Sequence, residues 1–108
     1  MPQSIRRLLP LMLSWCAMGA AAEPLIFQAA DAARGQQLMT EAKCEACHAR
    51  HVGGNGTDIY NPAGKIKTAG SLRGMVEYCS TQLNLGFFPE DSTDVAAALN
   101  RLHYRFKD

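Results

Sequence analysis

An all-α fold in one small domain is the class the sequence predicts, and three observations carry it. Apolar residues recur at helical spacing in three stretches, within residues 32–42, 72–83 and 95–106. No strand pattern leads into the motif Cys44-Glu45-Ala46-Cys47-His48, on which the middle of the chain turns. The chain is also short: of its 108 residues the first 22 read as a leader, which leaves 86. A domain of that size is marginal for a self-sufficient apolar core, so something besides protein is expected to help fill it.

Residues 1–22 have the make-up of a secretory signal peptide. Arg6 and Arg7 supply the positive start, residues 8–18 the apolar stretch, and Ala20-Ala21-Ala22 a small-residue cleavage site. Pro10 interrupts the apolar stretch, which falls short of the roughly 20 residues a membrane-spanning helix needs. An uncleaved membrane anchor is the alternative. Cys16 follows Trp15, where a lipoprotein signal carries a small residue, so Cys16 is read as part of the removed leader. Residues 23–108 then form one periplasmic domain with no membrane span. The leader holds two of the eleven Lys/Arg and none of the ten Asp/Glu, so the mature chain sets nine against ten, a formal charge of −1. That balance offers no broad basic surface for nucleic acid and no acidic tail.

Two cysteines separated by two residues and followed at once by histidine are the attachment pattern of a c-type haem. Each thiol adds to one porphyrin vinyl group, and the spacing lets both thioethers form from one short turn. Cys44 and Cys47 are therefore the expected covalent anchors, and His48 the proximal axial ligand of the iron. A zinc site would need a second Cys or His pair, and Cys79 is the only later cysteine. A thioredoxin-like motif would need a βαβ context. Export and haem attachment agree, because covalent haem is added on the outer side of the membrane. One covalent haem c would also fill the missing core as a large apolar body.

The elements come in this order along the chain. A first helix is expected from Asp31, a suitable N-cap, with Ala32, Gly35, Leu38, Met39 and Ala42 at helical spacing. Gly35 costs about 1 kcal/mol relative to Ala inside a helix, a cost that close approach of another helix would explain. This helix is expected to run into the haem motif, whose last residue leaves it. Residues 49–70 carry many breakers and read as a loop. In it Ile59, Tyr60 and Ile66 are candidates for packing on haem or for ordinary loop anchoring, and its carbonyls are candidate acceptors for the outer nitrogen of His48. A second helix is expected from an N-cap at Ser71, with Leu72, Met75, Val76, Cys79 and Leu83 in one apolar stripe. Phe87-Phe88-Pro89 forms a turn. A third helix opens with a cap at Asp91, Ser92 or Thr93 and buries Val95, Ala98, Leu99, Leu102 and Phe106. Arg101, His103, Arg105 and Lys107 make the one basic cluster, suited to the negative end of the helix dipole.

On Gly35 and Leu38 leading into Cys44-Glu45-Ala46-Cys47-His48, and on Asp94-Val95-Ala96-Ala97-Ala98-Leu99-Asn100 in the last helix, the chain resembles a class I cytochrome c over nearly all of residues 23–108. The resemblance implies first and last helices that cross closely, and an electron carrier rather than an enzyme, with redox proteins as partners. The sequence departs from the family at the distal axial position. Family members commonly offer a methionine in a Pro-containing loop before the last helix, and Phe87-Phe88-Pro89 contains none.

The remaining donors of the mature chain are Met39, Met75, Cys79, His51 and His103. Met39 reads as core, His51 lies too close to His48 to reach the opposite haem face, and His103 reads as a solvated or capping group. Met75 and Cys79 are four apart, on one helix face. The stretch from Ser71 to Cys79 is similar to a segment of sulfur-oxidising cytochromes and thiosulfate dehydrogenases in which a cysteine ligates haem. Met75 stands where those proteins commonly carry Arg, so their catalysis does not carry over. A small gas-binding monohaem family also has a cysteine here, disulfide-paired and preceded by Asn, where this chain has Tyr78 and no partner cysteine. An unpaired thiol in an oxidising compartment is a liability unless buried or metal-bound, so Cys79 is the leading distal ligand. Met75 is the alternative, and an open site the third. The expected function is periplasmic electron transfer. Its rivals are a gas-binding or sensor module and an electron-accepting subunit of a sulfur-compound-oxidising complex.

Overall fold

The computed structural model describes residues 23–108, so the expected leader and cleavage site lie outside the described residues. Four α-helices and no strand occur among them: α1 (Ala32–Glu41), α2 (Cys44–Val52), α3 (Ala69–Gln82) and α4 (Pro89–Leu99). A 3-10 turn (Leu25–Phe27) precedes α1, and a π-helical turn (Asn100–Tyr104) prolongs α4. The all-α class expected from the helical spacing is the class the chain adopts. None of the described helices is long and apolar enough to cross a membrane.

The fourth helix comes from a break that the sequence does not advertise. Asp31 caps α1 as expected, its Oδ1 accepting the Arg34 amide at 2.9 Å. The helix then stops at Glu41, and Lys43 takes a left-handed conformation with φ 55°. The segment Cys44–His48 therefore opens its own helix instead of ending the first. α2 continues past His48 to Val52, because Ala49 and Arg50 are good helix formers and the first glycine with positive φ is Gly53. The connecting loop is correspondingly shorter than expected. α3 starts early as well, since Thr68 rather than Ser71 caps it, with Thr68 Oγ1 accepting the Ser71 amide at 3.1 Å. α4 begins at Pro89, a position where a missing N–H is harmless. Asp91 serves it from the first turn, accepting the Phe88 amide at 2.9 Å, instead of acting as the cap.

α1 and α4 cross at Gly35. A Cβ there would fall 1.9 Å from the Asp94 carbonyl oxygen and 2.8 Å from the Val95 nitrogen, so only glycine permits the approach. This is the helix contact that Gly35 suggested in the sequence. Polar groups surround it. The Asp31 amide donates to Asp94 Oδ1 at 2.9 Å, and Arg34 donates to Asp94 Oδ2 at 3.1 Å and also to Asp91. The Phe88 amide and then the Arg34 guanidinium hold the Asp91 carboxyl below its ordinary range. α4 is the core helix, with Val95, Ala96, Ala97, Ala98 and Leu99 all buried. Arg73 ties α3 to its start, donating from Nε to Thr93 Oγ1 at 2.8 Å and from Nη2 to the Pro89 carbonyl at 3.2 Å.

The π turn alters the facing of the last residues. The Arg105 amide donates to the Asn100 carbonyl at 2.7 Å, one residue wider than an α turn. The register shifts accordingly: Leu102, expected on the buried face, is 48% exposed, and Tyr104 is buried in its place. Phe106 is partly buried, stacked on Tyr104 with ring centroids 5.4 Å apart. The basic cluster is not a uniform patch, because Arg101 pairs with Glu23, Nη2 to Oε2 at 2.9 Å.

Two glycine substitutions test this frame in opposite directions. Gly35→Val should destabilise the fold by about 3 kcal/mol or more, as overpacking against backbone that cannot yield. Gly74→Ala on α3, where an added Cβ meets nothing within 4 Å, should stabilise it by about 0.5–1 kcal/mol. Chemical denaturation of both variants against the parent is the measurement.

Candidate functional site

α2, α3, the loop after α2 and the inner face of α4 enclose a cavity of about 530 Å³, within the range of about 300–1,000 Å³ usual for ligand sites. Met39, Leu72, Val76, Phe87, Val95 and Leu99 give it apolar walls. Lys65 is the one lysine, arginine, aspartate or glutamate in its lining. Cys44, Cys47 and His48 enter from α2, and Met75 and Cys79 from α3. Every residue the sequence nominated for the site thus lines one cavity.

Helical spacing explains the α2 wall. Cys44, Cys47 and His48 stand at i, i+3 and i+4, so one helix face presents all three. The far side of the same turn is pressed by the loop at Gly56. There φ is +87° and a Cβ would meet the Glu45 carbonyl oxygen at 1.9 Å, so glycine is again the only residue that fits. The α3 wall is the predicted stripe, with Leu72, Met75, Val76, Cys79 and Leu83 all lining the cavity. Met75 is 46% exposed, while Cys79 is half-buried.

Cys44, Cys47 and Cys79 are free thiols. Burial, with smaller contributions from Glu45, Cys47 and Cys79, pushes the Cys44 thiol up to about 11. Burial also raises the Cys79 thiol. A thiol usually loses its proton on ligating a metal, and in an apolar wall the metal's own charge must offset most of that cost. The Met75 thioether needs no such step.

His48 is placed differently from expectation in one respect. Its Nδ1 is buried and has no hydrogen-bond partner, so the loop carbonyl expected to accept from it does not. Two turns of the loop use their carbonyls internally, Thr57 O accepting the Tyr60 amide at 3.0 Å and Asn61 O the Gly64 amide at 2.9 Å. The Tyr60 ring instead stands against the imidazole, centroids 5.4 Å apart and planes at 80°. His103 is not a solvated group, since its ring packs on Tyr60 with centroids 4.9 Å apart. Ile59, Tyr60 and Ile66 line the cavity, as does the buried Met39. His51 is exposed and lies outside it. Gly56 carried no signal in the sequence beyond that of a loop breaker, and Tyr104 was hidden by the π turn.

Among the described residues, no three His, Cys, Asp or Glu side chains converge to hold a bare metal ion. Two thiols and an unpartnered imidazole on one helix face, opening on apolar walls, fit the two thioether anchors and axial nitrogen of a c-type haem. No protein-family model matches the chain, and no curated protein or solved structure matches it either.

The two sulfur donors of α3 can be separated in haem-loaded protein. If the cavity takes up a haem with Cys79 on its iron, Cys79→Ala should alter the ferric absorption spectrum and open the iron to cyanide or carbon monoxide, whereas Met75→Leu should leave ligation intact. An unchanged spectrum in Cys79→Ala would transfer the distal role to Met75.

Proposed function

We propose that the chain is an exported monohaem c-type cytochrome that carries electrons between redox proteins. The observation that supports this most is the presentation of Cys44, Cys47 and His48 on one face of α2, all lining a single apolar cavity. Haem bound there would supply a one-electron ferric–ferrous couple. Cys44 and Cys47 keep the group on the chain in both oxidation states through thioether bonds. His48 offers an imidazole nitrogen from α2, and α3 offers the sulfur of Cys79 or Met75. The walls formed by Leu72, Val76, Val95 and Leu99 limit water, which tunes the potential through the local dielectric. Lys65 is the available cationic partner for a porphyrin carboxylate. The leader at residues 1–22 agrees with attachment outside the inner membrane, in the periplasm.

A gas-binding or sensor module would use the same anchors but leave the sixth position open. A subunit of a sulfur-compound-oxidising complex would share the closed site and differ in its partner. Potentiometric titration of the purified holoprotein, with carbon monoxide added to the ferrous form, separates carriage from gas binding. The expected result is one reversible one-electron transition and no carbon monoxide complex. Ready carbon monoxide binding would replace electron transfer with the gas-binding reading, and a chain with no redox transition would end both.

A further inference from the structure

A metal-ligating histidine usually donates its second ring nitrogen to a carbonyl, carboxylate or water, and that bond fixes the plane of the ring. His48 has none, since Nδ1 is buried and unpartnered. Its plane is constrained by an aromatic contact instead. The Tyr60 ring stands at 80° to the imidazole with centroids 5.4 Å apart, an edge-to-face arrangement. Tyr60 is itself held. Its amide donates to the Thr57 carbonyl, and the next amide, that of Asn61, donates to the Ile59 carbonyl, both at 3.0 Å. Asn61 Oδ1 accepts the Ala63 amide at 2.9 Å, closing the adjoining turn. The His103 ring packs on the same phenol ring at 4.9 Å, with planes 38° apart, and the π turn Asn100–Tyr104 is the element that carries it there.

We propose that Tyr60 is a positioning residue that sets the imidazole plane of His48, with His103 as its support; the inference rests on the proposed haem site. A clamp of this kind orients the ring without polarising it, so His48 is a weaker donor than a hydrogen-bonded imidazole. It also makes the end of α4 part of the axial-ligand environment, through His103 and Tyr60 in turn.

The plane of an axial imidazole is read in the ferric holoprotein by the spread of the haem methyl proton shifts and by the rhombic splitting in electron paramagnetic resonance. Tyr60→Leu should change both, and Tyr60→Phe, which keeps the ring, should retain the parent pattern. His103→Leu removes the ring packed on the far partner of this pair, Tyr60, and should move both signals in the same direction as Tyr60→Leu, by less. A purely structural contribution of Tyr60 would lower stability without moving either signal. Parent-like spectra in Tyr60→Leu and His103→Leu together would overturn the clamp, and if Tyr60→Leu does not fold, His103→Leu decides alone. Absence of any ferric haem signal, in the parent as in the variants, would instead overturn the haem reading and this inference with it.

Discussion

Backbone meets backbone where α1 crosses α4, and the rest of the domain is hung from that contact. Gly35 lets the Asp94 carbonyl come within a distance no Cβ would tolerate. The polar groups beside it, Asp31, Arg34, Asp91 and Asp94, pair with one another across the crossing. With α1 fixed against α4, the left-handed Lys43 redirects the chain and α2 carries Cys44, Cys47 and His48 along a new axis. On the other side, Arg73 anchors α3 to the first turn of α4. The α2 and α3 walls of the cavity are thus set by one crossing that neither takes part in.

A helix as buried as α4 leaves little apolar surface for the other elements to share. Its alanines at 96, 97 and 98 allow close packing but bring little side-chain volume of their own. The cavity of about 530 Å³ is bounded on the α4 side by Val95 and Leu99, not by these alanines. Its lining carries one lysine and no carboxylate, the make-up of a site for a largely apolar ligand. The stripe on α3 is divided in the same way. Leu72 is fully buried on the core, whereas Met75 and Leu83 are exposed residues that also line the cavity.

What could be read in the sequence was whatever local chemistry determines. The Asp31 cap, the α3 stripe and the grouping of Cys44, Cys47 and His48 on one face follow from helical periodicity, and Gly35 from the penalty glycine carries within a helix. What escaped was decided by tertiary structure. Ala42 and Lys43 favour helix, yet the helix breaks between Glu41 and the motif. Thr68 and Ser71 are both suitable caps, and the fold chose the first. The π turn inserts a residue into the helical count, which turned Leu102 outward, Tyr104 inward and His103 onto Tyr60. The hydrogen bond expected for His48 is not made, and the Thr57, Ile59 and Asn61 carbonyls accept amides within the loop instead.

The proposed thioether bonds are the most direct thing to measure, since the roles proposed for Cys44 and Cys47 depend on them. Protein produced in cells that attach haem c should be denatured in acidified organic solvent and its intact mass taken. Haem that stays with the polypeptide, and is lost from a Cys44→Ser, Cys47→Ser double variant, is the result expected. Haem that extracts freely from the parent chain, or a parent mass with no haem added, would contradict the assignment of both cysteines.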